Sequence, residues 1–458
     1  MQYKSQTHKE WFVVREFLPL VVLFWTCFAI NSDQLVSAPN LTRIARDFSL
    51  SDSERDGLLG ALVQFTFYMS AGFFSILSGP FIEVVDRAKL LGSLSAISGI
   101  LSLLCGSVPV GRVGFFYFIL IRVSTGISVG VALPAAFSLL GDLVPVSRRT
   151  TMSAFVTTSC AAGAAVGQAL AGFLPSSWRT GYFIVACFSL VAAFACFFGP
   201  LMDAKQHTTL YEHEAPGWSS TISKSPRPVS FSPGDLNQFT TVLQVPSNRI
   251  IFAQSIFGCI GWSSIATFFP DFLHEELGFS VVAATGVMAV FGISGLCSSL
   301  IGSAMGQSIY NSQRSKLPLF VAATMVCSAF FMTLLALFGS RGLGTIILAA
   351  GGAAGAAAGP NMKGMLLNAN SAGKRGTVFA MFNLIDCLGK GIGPSVLVAL
   401  SYIFQSRRTA FAIAFLLWLV AAWIESQLED CLTSDTVSVE IEAKTKPEPF
   451  DLFDLFHS

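Results

Sequence analysis

Asn383, Asp386 and Lys390 stand at intervals of three and four residues within one apolar run. On an α-helix that spacing puts all three on one face and makes Asp386 and Lys390 an i,i+4 ion pair. A carboxylate beside an ammonium there can bind a polar headgroup or exchange a proton as its access to water changes. The alternative is a self-neutralised pair with a structural task. Arg122 lies about nine residues into another run, too deep to reach water easily, and Asp33 belongs to the polar cluster Asn31, Asp33, Gln34. Charges inside apolar runs are costly and mark function by default. Similar depths predict that Asp33 and Arg122 face one cavity, Asp33 acting as counter-charge. The alternatives are that Asp33 caps a helix end and Arg122 bonds backbone carbonyls. Asn361 and Lys363 fall near the end of a further run, from which Lys363 can snorkel to water. The expected solute- or ion-binding set is therefore Asp33, Arg122, Asn383, Asp386, Lys390, Asn31, Gln34 and Asn361.

Other chemistries lack their parts. No G-x-S-x-G, HExxH or Walker loop occurs, and no histidine falls inside an apolar run, so neither an enzyme nor a histidine proton relay is expected. The ten cysteines are scattered singly, mostly in apolar runs, with no metal-ligand spacing; no metal, cofactor or disulfide is expected.

The elements that position these residues follow from composition. Of 458 residues, 53% are hydrophobic and 12% charged, about half the charge of a soluble domain, and the mean hydropathy is +0.64. Lipid must be the solvent for most of the chain. A net charge of +1 excludes a strong pull toward nucleic acid. Windows of about 20 apolar residues predict twelve transmembrane helices, an all-α integral membrane protein. They fall at about 16–38, 58–82, 90–109, 113–140, 151–174 and 181–201, then 248–272, 280–308, 317–338, 343–367, 376–400 and 407–427. Residues 1–15 form a polar N-terminus, 202–247 a Ser/Pro/Thr-rich disordered linker and 428–458 an acidic tail. With both termini and the linker in the cytoplasm, Lys and Arg favour the inner segments by about two to one. The sequon Asn40-Leu-Thr42 then lies outside, close to the membrane.

The halves repeat. At an offset of 226 residues Arg149 meets Arg375, Thr151 meets Thr377, Ala154 meets Ala380, Gly163 meets Gly389 and Gly167 meets Gly393. Helices five and eleven are thus equivalents in two parallel six-helix halves, 16–201 and 248–427, an architecture that places a site at the interface of the repeats. Glycines four apart, Gly126 with Gly130 and Gly163 with Gly167, predict faces along which a neighbouring backbone approaches closely.

Six plus six helices around a cytoplasmic linker resemble the major facilitator superfamily, as do several motifs. Arg122, Gly126 and Gly130 match its fourth helix, and Asp142, Arg148 and Arg149 resemble its loop between helices four and five. Gly163, Gly167 and Gly172 resemble its glycine-rich fifth helix, and Trp178-Arg179 the Trp-Arg pair after that helix. Asp86-Arg87-Ala88-Lys89 after Gly79 resembles its loop between helices two and three with the glycine spacing stretched, and the second-half counterpart from Gly302 to Gln307 lacks the acidic residue. The resemblance implies that Asp86, Arg87, Asp142, Arg148 and Arg149 form a conformational latch. Asn31-Ser-Asp33-Gln34, and Gly261-Trp262 through Phe268-Phe-Pro-Asp-Phe-Leu, also resemble the spinster-like lipid transporters, although Gln34 and Val129 stand where that branch has a basic and an acidic residue.

The implied function is a secondary carrier of a small or lipid-like solute working by alternating access, coupled to protons or sodium or to neither. A non-transporting receptor or trafficking protein of the same fold is the alternative. The repeated Asp-Leu-Phe after Glu448 resembles motifs read by clathrin adaptors, which would send the protein between plasma membrane and endosomal or lysosomal membranes.

Overall fold

In hydrocarbon every backbone amide must find its partner within the chain, so an apolar chain of this kind folds as helices. The computed structural model describes residues 18–143, 146–174, 177–199, 240–371 and 375–445, and among these there is no strand. The membrane helices are α1 (Leu18–Asn31), α2 (Asp52–Glu54, Arg55–Leu62 and Val63–Val84 in succession), α3 (Arg87–Ser107), α4 (Arg112–Leu143), α5 (Val146–Phe173) and α6 (Trp178–Phe198). The second set is α7 (Pro246–Glu275), α8 (Val281–Ser312), α9 (Lys316–Phe338), α10 (Leu343–Gly352, Ala353–Ala357 and Ala358–Asn368 in succession), α11 (Arg375–Phe404) and α12 (Arg407–Ser426). Ten of these are long and apolar enough to cross a bilayer; α1 is described over a shorter apolar stretch, and the Ser-, Thr- and Gly-rich α5 is less apolar.

Two helices change winding. Arg55–Leu62 of α2 is π-helical and Ala353–Ala357 of α10 is a 3-10 turn. At the latter the Ser328 hydroxyl of α9 donates to Gly352 O and accepts from Gly355 N. A short helix, Leu41–Asp47, joins α1 to α2. It is held by Asp47, whose carboxylate accepts from Trp178 Nε1 at 2.8 Å and pairs with Arg179 at 3.3 Å.

The two halves meet along α2 against α11 and α5 against α8, pairs that the 226-residue offset interchanges. The predicted packing glycines lie on close approaches. A Cβ at Gly126 or Gly130 would strike the backbone of Phe67 or Ala71 on α2, and one at Gly163 or Gly167 that of Phe28 or Ser32. Gly389 and Gly393 press α11 onto α7 at Ile256 and Ile260 in the same manner.

Call the end bearing the linker and α13 (Leu428–Thr445) the linker end, and the other the distal end. At the distal end one hydrophobic core is continuous across both halves, joining Leu41, Phe48, Leu59 and Phe118 to Phe268, Phe272 and Phe411. Toward the linker end the core divides into two clusters. One contains only first-half residues such as Leu23 and Leu139, and the other only second-half residues such as Phe252 and Met365.

The predicted acidic tail begins as structure. Helix α13 buries Leu428 and Leu432 in the second-half core, Asp435 accepts from Ser247 Oγ at 2.6 Å, and Glu440 pairs with Arg314 at 2.7 Å. The Asp-Leu-Phe repeats and most of the predicted linker lie outside the described residues.

Candidate functional site

The C-terminal charge pair stands on one face of α11, as its spacing predicts. Lys390 Nζ lies 2.5 Å from Asp386 Oδ2, with 38% and 20% of the two side chains exposed. The Cys259 thiol of α7 donates to Asp386 Oδ1 at 3.0 Å. Asp386 lies 11 residues beyond the start of α11, about 16 Å along the helix, which is near the middle of a bilayer. Asn383, one turn nearer the linker end, donates to Ser75 Oγ of α2 at 2.9 Å and so bridges the halves.

Asp33 and Arg122 also pair, at 2.5 Å, but with 0% of either side chain exposed. Arg122 further donates to the carbonyls of Asp33 at 3.2 Å and Gln34 at 3.1 Å, and its guanidinium lies 4.7 Å from the centre of the Phe67 ring. Both sequence alternatives, counter-charge and carbonyl clamp, therefore occur together. This pair is fully enclosed. Asn31 is half-buried, donating to Cys27 O at 2.7 Å and accepting from Gln34 Nε2 at 2.5 Å. Asn361 is buried and donates to Gly302 O of α8 at 3.1 Å, a bond that joins two helices of one half.

Lys363 is half-buried, five residues before the end of α10, and makes no hydrogen bond or ion pair among the described residues.

Sequence reasoning missed the distal ion network. Asp271 of α7, 4% exposed, accepts from Thr42 Oγ1 at 2.8 Å, pairs with Arg407 of α12 at 3.0 Å and faces Arg55 of α2 at 3.9 Å. Arg55 also donates to Thr42 Oγ1 at 3.2 Å and pairs with Asp56 at 2.8 Å. Thr42 and Arg55 belong to the first half and Asp271 and Arg407 to the second, so these bonds tie the halves together. The sequence signal was one acidic residue beside Pro270 at a helix end, which names no partner. Glu425 is a second surprise: it is fully buried near the end of α12, and neither carboxylate oxygen has a hydrogen-bond partner among the described residues.

Of the expected latch, Asp86 caps α3, accepting from Ala88 N at 3.1 Å and Lys89 N at 3.4 Å, with Arg87 as the first residue of that helix. The side chains of Asp142, Arg148 and Arg149 lie outside the described residues. No group of three or more potential metal ligands occurs among the described residues.

Comparison with known proteins agrees with this architecture. The sequence matches the family profile of the Major Facilitator Superfamily over residues 22–394. It is 21% identical over 327 residues to the uncharacterized MFS-type transporter YceJ of Bacillus subtilis, covering 68% of this chain and 76% of that one. In structure it resembles a bacterial homolog of the human lysosomal transporter Spinster, inward-facing and unoccupied, with a TM-score of 0.70 at 16% identity over 92% of this chain and 98% of that one. It also resembles a D-xylose–proton symporter, with a TM-score of 0.67 at 17% identity over 89% and 96% of the two chains. These structural likenesses carry the fold alone. Taken with a family match that spans both halves, they identify this chain as an integral membrane protein belonging to the Major Facilitator Superfamily.

Proposed function

We propose that the protein is a secondary transporter that moves a small or lipid-like solute by alternating access, with Asp386 and Lys390 in the central site. The observation that carries this reading is the divided core: shared across the halves at the distal end, separate toward the linker end. A partly exposed ion pair at mid-depth then has its route to water on the linker side, and the Thr42–Asp271–Arg55–Arg407 network closes the other side. Exchanging the closed end between distal and linker faces would carry a bound solute across. In a family whose transporters include proton-coupled members such as the D-xylose symporter, Asp386 is the candidate for exchanging a coupling proton. The excess of Lys and Arg favours cytoplasmic termini, and the Asp-Leu-Phe tail favours adaptor-guided passage through endosomal membranes.

The test is counterflow in proteoliposomes, using a ligand first found by its thermal stabilisation of the purified protein. Asp386→Asn is expected to reduce counterflow to background while the protein still elutes as a monodisperse, folded species. Binding without flux in the wild-type protein would instead favour the receptor reading. Undiminished flux in Asp386→Asn would remove that residue from the site.

A further inference from the structure

Glu425 is an acid in a place that suits no negative charge. It stands one residue before the end of α12, and an anion in the last turn of a helix opposes the helix dipole. A carboxylate so near a helix end ordinarily reaches water, yet Glu425 is 0% exposed. Ala421 and Ala422 before it and Leu428 after it all belong to the linker-side core of the second half, so the acid is set in an apolar wall. Neither of its oxygens has a hydrogen-bond partner, and it forms no ion pair, among the described residues. Helix α13 closes that end. The chain turns at Gln427, and α13 packs against α7, α9, α10 and α12. Its residues Leu428, Leu432 and Thr436, four apart, are all buried. Asp435 accepts from Ser247 N at 2.9 Å and from Ser247 Oγ at 2.6 Å at the start of α7, and Glu440 pairs with Arg314 at 2.7 Å.

A carboxylate stripped of both water and partners is strongly unfavourable, and such a group sheds the cost by taking a proton. We propose that Glu425 is a neutral carboxylic acid while α13 is docked, and that its ionisation releases α13, which makes the α12–α13 junction a pH-sensitive clasp. Leu428 is three residues away and shares the same apolar surroundings, so lifting α13 brings water to the acid. The docked form then holds one proton more than the released form. Docking therefore weakens as pH rises, by up to about tenfold per unit. The surrounding charges do not compensate for an ionised Glu425. On α7 and α9 the charged groups at this end are Arg249 and Lys316, both exposed, and on α11 Asp386 and Lys390 pair with one another. Glu429 and Asp430, next in the chain, would repel a charge on it. Asp435 and Glu440 hold α13 as carboxylates, so acid would loosen the helix through them, in the opposite direction. Cys431 of α13 and Tyr310 of α8 also gain negative charge as pH rises, and each needs its own control.

The experiment is amide exchange of the purified full chain from mildly acidic to alkaline pH, expressed as protection factors so that the intrinsic pH dependence of exchange divides out. In the wild-type protein, protection over residues 428–445 should fall as pH rises, by up to about tenfold per unit. Glu425→Gln, close in shape and always neutral, should hold that protection constant. Glu425→Met, neutral and apolar, should do the same, so the result does not hang on one substitution. Cys431→Ala and Tyr310→Phe should respond as the wild type does. An infrared difference spectrum at neutral pH, wild type minus Glu425→Gln, should show the carbonyl stretch of a neutral carboxylic acid. The proposal is overturned if wild-type protection of α13 does not change with pH, if both neutral variants keep the wild-type response, if Cys431→Ala or Tyr310→Phe abolishes it, or if the acid band is missing.

Discussion

In the first half the Asp33–Arg122 pair is shut in, with 0% of either side chain exposed, whereas in the second half Asp386 and Lys390 keep 20% and 38%. The separations are equal at 2.5 Å, so distance does not distinguish them; surroundings do. Arg122 spends its donors on carbonyls of the turn after α1 and stacks on Phe67, which makes it a bolt between α1 and α4. Asp386 meets a lysine, a thiol and open space, and can change partners without taking a helix apart. On the transporter reading proposed above, one half uses its intramembrane charge to stay rigid and the other keeps its charge available to a ligand or a proton.

The largest test of that contrast is Arg122→Leu, which strands Asp33 in the interior. A loss of about 3–5 kcal/mol is expected for breaking a buried pair by removing one partner, seen as a markedly lower unfolding midpoint or failure to purify. Asp386→Asn should leave the midpoint nearly unchanged, and equal loss in both variants would erase the distinction. Next in size is a comparison of equivalent glycines. A Cβ at Gly167 would lie 1.8 Å from the Ser32 carbonyl oxygen, whereas at Gly393 the nearest atom is the movable Ser263 hydroxyl and the Ile260 carbonyl oxygen stands off at 2.8 Å. Gly167→Ala should lose about 1–3 kcal/mol by overpacking, and Gly393→Ala less; the reverse order would show the second half to be the stiffer one. Smallest is Asp271→Asn, which leaves Arg55 and Arg407 without their shared carboxylate. Loosening the seal by about 1 kcal/mol would speed amide exchange in residues 38–62 several-fold; unchanged exchange would mean that the apolar core alone closes that end.

What could be read from the sequence were the features written in local spacing. The i,i+4 pair on α11, the glycine faces and the 226-residue repeat each depend on residues within one helix or on a fixed offset, and the structure shows them packed accordingly. The distal network was illegible because its four members come from four segments whose meeting depends on the whole fold. Asn361 read as a site residue because a polar side chain in an apolar run looks functional, yet the Gly302 carbonyl of α8 is its partner. The start of the tail read only as acidic because hydropathy cannot see that Leu428 and Leu432 share a face that docks on α7 and α9.

The 3-10 turn of α10 has an angular consequence. Five residues wound at 3.0 per turn rather than 3.6 advance the helix by about 100° more than α-helical winding would, and lengthen it by about 2.5 Å. Lys363 lies six residues past that turn and inherits the whole offset. Its azimuth on α10 is thus set by Ala353–Ala357 and by the Ser328 hydroxyl that replaces the missing i,i+4 bonding there. Relaxing those five small residues to α-helix would swing the ammonium by more than a quarter of a turn. The overwound stretch therefore works as a torsional setting for the charge two turns below it.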